Sequence, residues 1–240
     1  MSDPRYDDVA RAVAERLHPS PFSERWIALS QLRDALAGAA SRHLPRDGRL
    51  ELVDYGCGCM PYRALFAPYV ARHRGADFAA NPCAELVCGP SGGVPVEAGS
   101  VDVVLSTQVL EHVSDPAAYL EECLRMIGPH GMLILSTHGY WMYHPDPVDH
   151  WRWTSSGLRL QIERAGFVVT ELRGVMGLGA SAMQLLQDAV LRKIPGLLRP
   201  PLAFLFQVGI AVLDALTSTT SRDADACTFV VVARRREPTP

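Results

Sequence analysis

The sequence predicts an α/β fold: a Rossmann-like, seven-stranded, mostly parallel sheet with helices on both faces and an antiparallel last strand. Three observations carry that reading. Short apolar runs alternate with amphipathic helical stretches from Leu50 onward. The first run closes on a glycine-rich turn, Gly56-Cys57-Gly58, where open α/β sheets place a ligand. The 240 residues, 48% hydrophobic and 20% charged, suffice for one well-cored domain with an insertion.

Residues 1–48 read as an N-terminal helical cap. Ser23 is placed to cap a helix running to Ala40, with Trp26, Leu29, Leu32 and Leu36 on one face. His43 to Asp47 is a break. Residues 49–240 read as the core. Leu50 to Tyr55 is its first strand, and Pro61 suits the first turn of a helix continuing through Val70. His73 to Phe78, Leu86 to Cys88 and Val101 to Ser106 are the next three strands. Asp115 or Ser114 caps a helix opened by Pro116, and Met132 to Thr137 follows as the fifth strand. Thr154 caps a helix that Gly166 ends, before a sixth strand at Phe167 to Leu172. A mostly helical insertion fills about 174–225, then comes a last strand, Thr228 to Ala233, and an unstructured tail from Arg234.

Composition excludes some classes. A formal net charge of −3 supplies no basic field for nucleic acid. The charged N-terminal stretch lacks an apolar leader, and the six cysteines lack the paired spacing of a zinc site. Reduced thiols in a cytoplasmic protein are the expectation. Leu197 to Leu216 is apolar, but its uncharged core, Pro200 to Leu213, falls short of the ~20 residues of a membrane span. No transmembrane span is expected. The apolar face of the insertion is expected to be buried in a homodimer or as a lid, ahead of a surface-bound membrane helix.

The glycine turn narrows the ligand. The GxxxxGK[ST] of a phosphate-binding loop is absent, and Pro61 stands where a dinucleotide fingerprint needs its third glycine. Asp54 precedes the turn, and Asp77 follows it at about the 20-residue spacing at which a carboxylate meets ribose hydroxyls. Alone, the two glycines are a tight turn and Asp77 a surface acid. Together with Asp54 and the strand order they suit S-adenosylmethionine (SAM), whose ammonium and sulfonium favour a nearby carboxylate and which carries no phosphate.

The stretches Val53-Asp-Tyr-Gly-Cys-Gly58, Gly75-Ala-Asp-Phe78 and Val101 to Thr137, above all Gln108 to Pro116 (QVLEHVSDP), resemble the class I SAM-dependent methyltransferases of the small-molecule branch. The resemblance covers about Leu50 to Leu172 and the last strand. His144 to Gly166 resembles a further block of methyltransferases from polysaccharide and natural-product biosynthesis. Met60, and Pro90 or Ser91 at the adenine position, depart from the family pattern. The resemblance implies a SAM site at Asp54, Gly56, Cys57, Gly58, Asp77, Phe78, Gln108 and Val109, and transfer of a methyl group to an oxygen or nitrogen of a small-molecule acceptor. A non-catalytic SAM-binding or scaffold protein is the alternative, and a nicotinamide-dependent oxidoreductase the more distant one.

Methyl transfer asks chiefly for alignment and exclusion of water, with a base where the acceptor is a hydroxyl. The segment from His138 to Trp153 leaves the fifth strand and is rich in aromatic rings, histidines and acids. It is the expected acceptor wall, with Tyr140, Tyr143, His144, His150 and Trp151 as substrate contacts. His138 is the first choice of base and His112 the second, although fixing their loop is the slightly favoured role for Glu111 and His112. Asp149 and Arg152 read as a structural pair. His144, Asp146, Asp149 and His150 are ligand types for a metal, but a hydrogen-bonding network is the favoured reading and no metal is expected. Arg25 and Trp26 are placed to close over SAM or substrate.

Overall fold

The computed structural model describes residues 4–145 and 148–237. Strands β1 (Leu50–Tyr55), β2 (Val70–Asp77), β3 (Leu86–Val87), β4 (Val101–Thr107), β5 (Ile127–His138), β6 (Phe167–Gly177) and β7 (Ala226–Arg235) form one sheet in the order β3-β2-β1-β4-β5-β7-β6. The ladders from β3 to β5 are parallel, and β7 runs antiparallel between β5 and β6. This is the expected Rossmann-like arrangement. The central strands are apolar with little alternation because helices cover both of their faces.

One face packs against α4 (Pro116–Met126) and α5 (Ser155–Arg164), through Leu120, Met126, Leu158 and Ile162. The other packs against α2 (Trp26–His43), α3 (Arg63–Phe66), α6 (Leu178–Leu191) and α7 (Arg199–Ala215), through Leu36, Phe66, Ala180 and Ile210. Helix α1 (Pro4–Leu17) lies against α2, and α8 (Thr219–Ala224) against β6. Asp115 caps α4 by accepting from the Ala117 and Ala118 N–H groups, and Thr154 caps α5 by accepting from Gly157 N–H.

Four local expectations change. The stretch after Pro61 forms only the single turn Arg63–Phe66, because Pro68 interrupts it and Val70 already pairs in β2. Ser23 Oγ accepts from Arg25 N–H and so organises the turn before α2, whose own N-cap, Arg25, makes no side-chain cap bond. β6 continues past Leu172 to Gly177, since β7 pairs with it along that length. Gly174 permits this: a Cβ there would collide with the Arg222 carbonyl. The tail begins later than expected: Arg234 and Arg235 belong to β7, and the Arg235 guanidinium donates to the carbonyl of Ile127 at 2.8 Å.

At the switch point, β1 lies between β2 and β4. The carboxyl ends of β1, β4 and β5 therefore release their loops at one edge of the sheet, the edge where such folds hold ligands.

Candidate functional site

The turn after β1 is built for close approach. Gly56 has φ +76°, and a Cβ there would lie 2.5 Å from Val109 Cγ2. Gly58 has φ +48° and faces open space. Asp77, at the end of β2, accepts from Gly58 N–H (3.1 Å) and Asn81 Nδ2 (2.7 Å) through one oxygen and from Phe78 N–H (2.8 Å) through the other. Gly56, Gly58, Asp77, Phe78, Gln108 and Val109 line a cavity of about 520 Å³, the size range of small-molecule sites. Pro90 and Ser91 close it on one side, and Asp115 and Glu122 bring carboxylates to it from α4.

Asp54 and Cys57 are not among the residues bordering this cavity. Asp54 is 1% exposed and lies 3.4 Å from His73 Nε2. Burial pushes its carboxyl upward, and its Oδ1 has no partner. The buried Cys57 thiol sits beneath the turn, against Gly75. All six cysteines are free thiols.

A second cavity, of about 490 Å³, lies under α1 and α2 at the ends of β4 and β5. His112, His138 and His144 line it, together with Arg25, Trp141 and Met142. The two cavities share Gln108 and His112. Gln108 holds this junction in a left-handed conformation, φ +58°, which a side-chain-bearing residue adopts at a cost of roughly 1–2 kcal/mol. Ser136 supports it twice: its carbonyl accepts the Gln108 N–H and its Oγ accepts from Nε2, both at 2.9 Å. The Gln108 amide oxygen is buried without a partner.

His138 is buried at the base of the second cavity. Its ring stacks on Trp141, with centroids 4.8 Å apart and planes 2° from parallel. Nε2 lies 3.4 Å from Glu111 Oε1, and Nδ1 lies 3.3 Å from Thr228 Oγ1. Burial, reinforced by the neighbouring His144 and Arg152, holds the imidazole well below its usual range. Glu111 is fully buried; desolvation pushes its carboxyl up to about 6, while Thr137 Oγ1 donates to its other oxygen at 2.8 Å. Burial thus disfavours charge on both members of the pair.

The substrate residues expected from sequence divide. His144 borders the second cavity, ring to ring with both His112 and His138. Tyr140, Tyr143, His150 and Trp151 do not. Tyr140 OH donates to Asp225 at 3.0 Å, and the Trp151 indole N–H to the Val113 carbonyl at 2.8 Å. Asp149 receives both terminal nitrogens of Arg152. Arg25 and Trp26 also separate: the Arg25 guanidinium sits 4.8 Å over Trp141, whereas Trp26 stacks on Phe204. Of the metal-ligand types weighed from sequence, Asp146 lies outside the described residues. The group that does converge, Glu111, His138 and His144, has ligand atoms within 4.8 Å of one another. Sequence reasoning passed over Trp141, Met142 and Thr228; spacing carries no signal for them, because a loop path and a distant strand bring them in.

Residues 53–135 match the methyltransferase domain family. The chain is 29% identical over 140 residues to a probable S-adenosylmethionine-dependent methyltransferase of Mycolicibacterium smegmatis, covering 52% of this chain and 54% of that one. It is 36% identical over 110 residues to a ubiquinone biosynthesis O-methyltransferase of Cereibacter sphaeroides, covering 40% and 44%. The chain thus spans about half the length of the curated relatives it matches. Among solved structures it resembles the [4+2]-cyclase SpnF, with a TM-score of 0.57 at 16% identity over 97% of this chain and 93% of that one. That likeness concerns the fold, and a fold of this kind hosts more than one chemistry.

Proposed function

We propose that this chain, which carries a methyltransferase domain, is a class I SAM-dependent methyltransferase acting on an oxygen or nitrogen of a small-molecule acceptor. The carrying observation is the shared wall: the cavity at the glycine turn and the cavity at the histidines meet at Gln108 and His112. A donor held in the first and an acceptor held in the second face each other across that junction.

The donor cavity suits SAM. Asp77 offers a carboxylate where a ribose would lie, Gly58 leaves room beside it, and Asp115 answers positive charge. Bound SAM supplies a methyl group already activated by its sulfonium. The chain's own residues then align, desolvate and deprotonate. His138, uncharged by burial and lining the second cavity, is the group placed to take a proton from an acceptor hydroxyl. Arg25 and Trp141, packed on each other in the cavity wall, would limit water around a bound acceptor. The O-methylation named for the Cereibacter sphaeroides relative supports an oxygen acceptor.

Calorimetric titration of SAM into wild type and Asp77→Ala tests the reading. The variant should bind more weakly by roughly 1.5–3 kcal/mol, the worth of hydrogen bonds to a charged group. Absence of SAM binding to wild type, or binding of a nicotinamide dinucleotide in its place, overturns it.

A further inference from the structure

Helices α6 and α7 bury more polar than apolar residues. Ser181, Gln184, Gln187 and Asp188 on α6, and Gln207 and Asp214 on α7, face inward beside the apolar Ala180, Leu191, Ala203 and Ile210. Their outward residues are Leu185, Leu186, Leu205, Val208 and Val212, and Leu197 in the connection is 90% exposed. The usual pattern of a surface helix is the reverse.

The inversion is locked by hydrogen bonds. The side-chain amides of Gln184, Gln187 and Gln207 all donate to the carbonyl of Glu24, at 3.1, 2.8 and 3.0 Å. Gln207 Oε1 accepts from Ile27 N–H at 2.8 Å. Asp188 pairs with Arg25, and Asp214 accepts from Gln31, Gly177 N–H and Arg222. Rolling either helix to bury its leucines leaves these polar groups without partners. The apolar face is therefore the one offered outward.

Its charges have one sign. Between Leu178 and Thr217 the acids are Asp188 and Asp214, both 5% exposed and ion-paired. The cations are Arg192, Lys193 and Arg199, all exposed and gathered where α6 gives way to α7. This cluster stands on a chain whose overall charge is −3.

We propose that the outward face of α6 and α7 docks on the surface of an anionic lipid bilayer, with its leucines and valines below the headgroups and Arg192, Lys193 and Arg199 at the phosphates. Charge selects this occupant. A second copy of the chain brings the same three cations and no exposed acid from this face, whereas anionic headgroups complement it. Gly196–Ala215 is long and apolar enough to cross a membrane. Gln207 and Asp214 nonetheless hold its inner side to the protein, so the helix lies in the plane of the interface. Arg192 Nη2 is 2.9 Å from Met142 Sδ, and Met142 lines the histidine cavity. Docking therefore sets that cavity beside the lipid, a consequence independent of which reaction it serves.

Flotation of the full chain with lipid vesicles tests the docking. Vesicles of phosphatidylcholine mixed with phosphatidylglycerol should carry the protein to the top of the gradient, and phosphatidylcholine alone should carry far less. Replacing Arg192, Lys193 and Arg199 together by Gln should weaken partitioning onto anionic vesicles by about a hundredfold, with the melting temperature kept. Leu205→Asp should weaken it as well. The proposal fails if wild type ignores anionic vesicles at low salt, or if the triple variant binds them as wild type does. It also fails if sedimentation shows a dimer that Leu205→Asp splits and that vesicles do not displace.

Discussion

His138 Nε2 stands 3.4 Å from Glu111 Oε1, and that carboxylate oxygen makes no hydrogen bond of its own. Thr137 Oγ1 holds the other oxygen at 2.8 Å, so the contact sets the end of β5 against the loop after β4 that carries Gln108 and His112.

Removing the base should separate chemistry from binding. His138→Ala is expected to lower kcat by about 10²–10⁴ while SAM affinity holds. Because burial and neighbouring positive charge lower the imidazole's pKa, the acid limb of the wild-type kcat profile should lie below pH 6.5, the ordinary value for histidine. Full turnover by His138→Ala with a hydroxyl acceptor removes this residue from the mechanism.

Glu111 makes a stability prediction of opposite sign to the usual carboxylate. Its pKa rises from 4.5 to about 6 on folding, chiefly through desolvation. Between those values the folded protein holds a proton that the unfolded chain has released, so stability falls as pH rises through that window. The cost is complete above about pH 6. Glu111→Gln should therefore gain on wild type through the window, levelling off at roughly 2 kcal/mol. Urea melts at several pH values measure the difference, and a pH-independent one shows that the carboxyl keeps an ordinary pKa.

Gly56 and Val109 form a testable pair. Gly56→Ala meets both a positive φ and the Val109 side chain, and should cost about 2–4 kcal/mol together with SAM affinity. Adding Val109→Ala should recover the steric share alone. A double variant no better than the single one places the whole cost in the backbone.

Asp149 and Arg152 should act through stability. Burial opposes ionisation of Asp149, but the Arg152 guanidinium and the His144 N–H outweigh it and hold the carboxyl below its ordinary value. That contribution is present above pH 3.8 and is lost as pH falls further. Asp149→Asn should cost about 2–3 kcal/mol at neutral pH, somewhat under the figure for a fully buried pair because Arg152 is partly exposed. Wild-type thermal stability in the variant excludes the structural role.

The cavity at the glycine turn was legible in the sequence, apart from the buried Asp54 and Cys57, because its constraints are local. A glycine turn after a strand, Asp77 at the next strand end and the Asp115-Pro116 cap each state their geometry within a few residues. The cavity at the histidines was legible only as a segment. Residue type identified the loop after β5 as aromatic, but Tyr140 turns to Asp225 while its neighbour Trp141 turns to His138. Arg25 reaches the cavity because Asp188, far along the chain, anchors it. The inward glutamines of α6 and α7 were illegible for the same reason: their common partner is one backbone carbonyl, at Glu24, and composition does not reveal it.

The position of β7 has a consequence for synthesis. β6 touches the rest of the sheet through β7 alone, although it precedes β7 by about 50 residues. As the chain leaves the ribosome, β1 to β5 can pair while β6 has no ladder to join. The edge of β5 stays open until residues 226–235 emerge, slide into the gap and recruit β6 on their far side. Nascent chains halted before that point should expose an unpaired strand together with the leucines of α6 and α7, and so depend on chaperones as the released chain does not.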